Sequence, residues 1–204
     1  MTSTPYSDPL QPLGNTVSRR KFLRTSSAAA TAGIVAPYLA VSGNSLAAGA
    51  DTLRVGLVGC GGRGTGAAEQ ALKADKNVVL TAMGDVFRDQ LEGSLRTLKQ
   101  RVPERVEVDP AHQFVGLDAY QKVIDSGVDV VLLTSPPGFR PTHLRAAVAA
   151  GKHIFCEKPV ATDAPGIRTV LECVETARNK KLAWMAGFCW RYDYARREFF
   201  KRVH

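Results

Sequence analysis

The stretch Leu53-Arg54-Val55-Gly56-Leu57-Val58-Gly59-Cys60-Gly61-Gly62-Arg63-Gly64 decides how the chain is read. Its first half is an apolar run ending at glycines, the pattern of a strand buried on both faces. Its second half has the spacing G-x-G-x-x-G and opens a helical stretch, roughly Gly62 to Ala74. Alone, that spacing is a weak signal. Directly after a strand and at the start of a helix, it has the context that dinucleotide binding requires. Gly59 then permits the tight turn, Gly61 lets the backbone approach a pyrophosphate, and Gly64 lets the helix pack on the sheet. Gly62 and Arg63 complete the turn at the helix N-terminus, where free N–H groups and the positive dipole end favour phosphate.

Working outward, Asn77 to Met83 reads as a second strand, and Asp85 follows it 21 residues beyond Gly64. A carboxylate at this place accepts hydrogen bonds from the adenosine ribose and repels a 2′-phosphate, so NAD is favoured over NADP. Arg88 stands close enough to soften that preference by pairing with a phosphate. Asp85 would also serve as a helix N-cap, worth roughly 1 kcal/mol; its position and spacing favour the cofactor role.

The remaining chain alternates. Val86 to Gln100 reads as a helix closed by Pro103, and a short strand is expected near 113–115. Asp118 to Asp125 is helical and ends at Gly127. Val128 to Leu133 is a β-branched strand stopped by Pro136-Pro137. An Ala-rich helix from His143 to Ala150 is capped by Gly151, and His153 to Cys156 is a strand. Asp163 to Lys180 is an amphipathic helix with Ile167, Val170, Leu171, Val174 and Ala177 on one face. Leu182 to Phe188 is the last strand. The pattern predicts an α/β fold over residues 51–190: a doubly wound parallel Rossmann sheet of about six strands, covered on both faces.

A second group of motifs is more specific. Thr134-Ser135-Pro136-Pro137 is followed by His143, then by Ala149-Ala150-Gly151-Lys152-His153-Ile154-Phe155-Cys156-Glu157-Lys158-Pro159. This order resembles the glucose–fructose oxidoreductase / inositol dehydrogenase (Gfo/Idh/MocA) family, and the resemblance runs from about Leu53 to the end. It implies that Thr134 and Pro136 lie along the cofactor near its nicotinamide end, and that Glu157 faces the nicotinamide ribose. Lys158 would point at the reacting hydroxyl of a sugar or polyol, as the catalytic group. Pro159 is cis in many members. Trp190-Arg191-Tyr192 resembles the segment lining the cofactor and substrate cleft, which makes Arg191 a candidate contact. Alcohol oxidation needs a base on the O–H while hydride leaves carbon, and a lysine beside a positive nicotinamide ring suits that task. His143 fits a cofactor contact and a simple packing residue about equally.

Composition removes other classes. The chain has 204 residues, a formal charge of +8 and 45% hydrophobic residues. No uninterrupted apolar run is long enough for stable membrane insertion. Much of the charge lies in Arg191, Arg196, Arg197, Lys201 and Arg202 without a nucleic-acid module, so it reads as a basic helix face and not as a nucleic-acid site. Cys60, Cys156, Cys173 and Cys189 contain no C-x-x-C pair and argue against zinc. They read as small buried residues, although an exported protein leaves a disulfide open.

Residues 1–50 read as an address. Ser18-Arg19-Arg20-Lys21-Phe22-Leu23-Arg24 matches the twin-arginine export pattern, a mildly apolar stretch follows, and Ala48-Gly49-Ala50 is a cleavage site. The expectation is transfer by the twin-arginine (Tat) translocase to the periplasm. Residues 191–204 read as the start of a linker helix. The resemblance implies a further α+β domain that supplies the substrate pocket, and possible homo-oligomers among full-length relatives. This chain is therefore expected to carry the dinucleotide-binding portion, with weak NAD binding and negligible turnover by itself. A redox-assisted glycoside hydrolase and an inactive NAD-binding fragment are the alternative readings.

Overall fold

The computed structural model describes residues 52–203. The twin-arginine motif and the cleavage site lie outside them. Six strands are present: β1 (Leu53–Val58), β2 (Val78–Asp85), β3 (Gln113–Val115), β4 (Val130–Leu133), β5 (His153–Cys156) and β6 (Trp184–Ala186). They form one sheet in the order β3-β2-β1-β4-β5-β6, and every pairing is parallel. This is the doubly wound Rossmann arrangement. The helices between them are α1 (Gly62–Ala74), α2 (Arg88–Arg101), α3 (Ala119–Asp125), α4 (Arg140–Ala149) and α5 (Ala164–Asn179).

Alternation along the strands divides the core. Val55 and Leu57 of β1 join Leu72, Leu80, Met83, Leu91 and Leu98, beneath α1 and α2. Val58 points the other way, toward Val123, Ile124, Leu144, Val148 and Val170 on α3, α4 and α5. Successive strand residues face opposite sides, so continuous apolar strands are what a sheet covered twice demands.

Several boundaries depart from the expected ones. Helix α4 begins at Arg140, ahead of His143, because Pro141 sits in the first turn where its missing N–H and fixed φ are tolerated. Helix α2 begins at Arg88 instead of Val86, since the Phe87 N–H is drawn onto Asp85 Oδ1 at 2.9 Å. Strand β6 has three residues, fewer than Leu182 to Phe188, as an edge strand paired along Ile154–Cys156. Two other helix ends are closed by flanking residues. The Asp163 carboxylate accepts from Gly166 N–H at 2.8 Å to start α5, and Gly127 adopts φ +84° after α3.

Beyond β6, a short turn at Cys189–Tyr192 leads into helix α6 (Tyr194–Val203), which buries no residue. Among the described residues, no helix is long and apolar enough to cross a membrane.

Candidate functional site

The strand order reverses between β1 and β4, and a crevice opens there beyond the C-terminal ends of the strands. Open α/β sheets bind ligands at such switch points. The crevice has two lobes that meet at Thr134 and Arg140.

The first lobe, about 650 Å³, lies over β1, β2 and β4. It brings together Gly59, Gly61, Asp85, Thr134, Pro136 and His143. Gly59 has φ +93°, and a Cβ there would come within 2.5 Å of the Ser135 nitrogen. A Cβ on Gly64 would lie 1.9 Å from the Gly59 carbonyl oxygen and 2.7 Å from Thr134 Oγ1. Both positions thus require glycine on steric grounds. Gly61 and Gly62 differ, because a Cβ on either would meet nothing within 4 Å. The space over the start of α1 is open, no side chain caps that helix, and no acidic residue stands in its first turn. The cradle therefore fits the pyrophosphate that the motif implies.

Asp85 ends β2 beside this turn. Its Oδ2 accepts from Cys60 N–H at 2.6 Å while Oδ1 accepts from Phe87 N–H. A carboxylate offers about four lone-pair sites, so acceptor capacity remains for ribose hydroxyls. Burial, reinforced by the Asp85 charge, pushes the Cys60 thiol far above its ordinary value, so Cys60 is an inert packing residue.

His143 forms the wall toward α4. Its Nδ1 is hydrogen-bonded to Ser135 Oγ at 3.0 Å, its ring stacks on Tyr120 with centroids 4.2 Å apart, and Phe139 lies beyond. Burial lowers its pKa to about 4, so it is a neutral, apolar wall element at physiological pH.

The second lobe, about 670 Å³, lies over β4, β5 and β6 and is charged. It is lined by Arg63, Glu157 and Lys158, with Gly187, Phe188 and Tyr192 on the far side. Glu157 is buried. Its Oε1 accepts from Arg63 Nε at 2.6 Å, and its Oε2 accepts from the Lys158 backbone N–H at 3.1 Å. Gly187 packs so closely that a Cβ there would lie 2.7–2.8 Å from the carboxylate atoms. One carboxylate thus links the glycine turn, the end of β5 and the end of β6. The Lys158–Pro159 peptide is cis. The Lys158 side chain is exposed into this lobe and makes no hydrogen bond among the described residues.

Arg88 and Arg191 stand apart from both lobes. Arg88 is exposed and pairs with Glu92 one turn along α2, at 3.8 Å. Arg191 lies over the Phe188 ring, 5.6 Å from its centroid. Sequence reasoning passed over Arg140, Ser135, Tyr120 and Gly187. The Phe139-Arg140-Pro141 stretch before His143 was the available signal for the first of these. Gly187 carried none, because its neighbour Glu157 is 30 residues away in the chain. Among the described residues, no group of three or more His, Cys, Asp or Glu could hold a metal ion.

Residues 53–188 match the model of the oxidoreductase family with an NAD-binding Rossmann fold. The chain belongs to the Gfo/Idh/MocA family. The fold assigned above is therefore the cofactor domain of this family, and its nucleotide is NAD. An inositol 2-dehydrogenase of Cereibacter sphaeroides is 37% identical over 142 residues, which is 70% of this chain and 38% of that protein. A myo-inositol 2-dehydrogenase of Thermotoga maritima is 29% identical over 69% of this chain and 37% of that one. Among solved structures, a myo-inositol 2-dehydrogenase from Lactobacillus plantarum superposes with a TM-score of 0.61 at 26% identity. That match covers 75% of this chain and 41% of that one. A scyllo-inositol dehydrogenase from Lactobacillus casei, solved with bound NAD(H) and scyllo-inositol, has the same fold at a TM-score of 0.60 and 24% identity, over 75% of this chain and 41% of that one. This Gfo/Idh/MocA chain spans about two fifths of the length of these relatives.

Proposed function

We propose that this chain is the NAD-binding portion of a dehydrogenase that oxidises a CH–OH group of a sugar or polyol. The observation carrying the proposal is the single crevice that holds Asp85 at one end and Glu157-Lys158 at the other, joined at Thr134. Relatives named as inositol dehydrogenases support the polyol class. The Asp85 carboxylate supports NAD over NADP.

When bound, the nicotinamide supplies the hydride acceptor. The chain's own residues do the rest. The open turn at Gly61 and Gly62 receives the pyrophosphate at the N-terminus of α1. Asp85 orients the adenosine ribose, and Glu157, already fixed by Arg63 and the Lys158 N–H, presents its free lone pairs to the nicotinamide ribose. Lys158 reaches into the charged lobe as the group that takes the hydroxyl proton. His143, neutral and stacked, closes the adenosine lobe by shape. The segment Ser18–Arg24 adds export by the twin-arginine route to the proposal; a fusion of residues 1–50 to a Tat-dependent reporter tests it.

Isothermal titration of the 204-residue chain tests the core of the reading. NAD is expected to bind weakly and in preference to NADP. Binding of NADP in preference to NAD, or of neither, overturns it.

A further inference from the structure

Arg140 is a buried cation with little to hold it. It is 5% exposed, at the start of α4, where the two lobes of the crevice meet. Its one side-chain hydrogen bond among the described residues runs from Nη1 to the carbonyl oxygen of Pro159. Its Nε is buried without a partner. A guanidinium removed from water is costly unless paired and fully hydrogen-bonded. An apolar side chain would fill the same space without leaving a donor unmet. Stability alone therefore does not explain this residue.

Its attachment does. Pro159 follows Lys158 directly, so the bond ties the start of α4 to the turn that carries the lysine. The Arg140 charge also acts on the buried Glu157, which Arg63 holds in an ion pair. Arg140 and Arg63 thus bracket the Glu157-Lys158-Pro159 turn from two different elements, α4 and α1.

We infer that Arg140 is a positioning residue: through the Pro159 carbonyl it sets where the Lys158 ammonium stands in the charged lobe. This rests on the reading of Lys158 given above.

Two measurements on the full 204-residue chain test this, using wild type, Arg140→Gln and Arg140→Lys. The first is titration with NAD and with ADP-ribose, which keeps the adenosine and pyrophosphate and lacks the nicotinamide. The second is the chemical shift of the Lys158 signal in unliganded protein, by NMR of ¹³C-dimethylated lysines, assigned with Lys158→Arg. In Arg140→Gln, ADP-ribose is expected to bind within about twofold of wild type, while the affinity for NAD relative to ADP-ribose falls by about fivefold or more. The Lys158 signal moves. Arg140→Lys, which keeps the cation, recovers most of both effects and guards against a glutamine variant that does not fold. Equal loss of both nucleotides, or no loss, with an unmoved Lys158 signal overturns the inference. If wild type binds neither nucleotide, the proposed function fails, and the Lys158 signal alone decides: movement supports Arg140 as its positioning residue, and constancy overturns it.

Discussion

The two lobes of the crevice are built on opposite principles. The adenosine lobe is mostly apolar, and its one carboxylate, Asp85, is held by backbone N–H groups from the two turns beside it. The charged lobe draws Arg63, Arg140, Glu157 and Lys158 from α1, α4 and the end of β5. In the first, the backbone shape of a turn does the recognising, and the local sequence suffices to build it. In the second, side chains distant in sequence hold one another, so its geometry depends on the whole sheet. The first lobe should therefore be brittle to steric change and the second sensitive to charge.

The sharpest way to break this contrast is Gly64→Ala. The added methyl has no room against the Gly59 carbonyl, and overpacking of this kind costs about 1–3 kcal/mol or more. NAD affinity by calorimetry should fall by at least about tenfold, with a lower melting temperature. Gly61→Ala, in open space, should leave the melting temperature unchanged while still weakening NAD. Equal melting temperatures for the two variants would remove the steric distinction.

Asp85→Ala comes next. Hydrogen bonds to a charged group are worth about 1.5–3 kcal/mol, so NAD should weaken by roughly tenfold to a hundredfold. The preference over NADP should shrink at the same time, because the repulsion toward a 2′-phosphate is gone. An unchanged NAD to NADP ratio would show that Asp85 serves the Cys60 turn and not the ribose.

Acid sharpens the comparison inside the first lobe. His143 is neutral in the fold, with a pKa near 4, but takes up a proton near its ordinary 6.5 when the chain unfolds. A lowered pKa on a base means stability is full above about 6.5 and is lost as pH falls toward 4. Thermal melts should drop over that window, and His143→Gln should flatten the part of the drop due to this ring. A pH profile identical to wild type in the variant would contradict the buried neutral state.

The smallest effect belongs to the charged lobe. Glu157→Gln keeps the shape and removes the pairing with Arg63, whose side chain is 49% exposed. A half-solvated pair contributes about 1 kcal/mol or less. NAD should weaken by a few-fold, more so at low salt, while binding of ADP, which lacks the nicotinamide ribose, barely changes. Loss of folding would instead mark Glu157 as a structural keystone.

Much of this was legible beforehand. The strand–turn–helix at Leu53 to Ala74 follows from an apolar run meeting Gly59, Gly61 and Gly64, and all six strands fall within or close to the expected runs. The boundary at Arg140 was missed because Pro141 permits a helix start that the Ala-rich periodicity does not show. Cys189 was grouped with the buried cysteines, yet in the structure it is exposed in the turn after β6. An edge strand of three residues provides too little cover there. All four cysteines are free thiols. Arg88, expected from its closeness to Asp85, and Arg191, expected from the resemblance of Trp190-Arg191-Tyr192 to a cleft-lining segment, each face a neighbour on their own segment.

By itself, the sequence determined what is local: where strands end, which turn needs glycine, and that an acid closes β2 while Glu157-Lys158-Pro159 closes β5. Each of these depends on a few consecutive residues and on steric limits of the backbone. Tertiary structure alone decided that Arg63 meets Glu157 across 94 residues, that Gly187 must be small to admit that carboxylate, and that Arg140 reaches the carbonyl behind Lys158. Those contacts exist because the sheet order sets β1 beside β4 and β5 beside both β4 and β6. Periodicity along the chain encodes burial, but it does not say which strand ends will share a cleft.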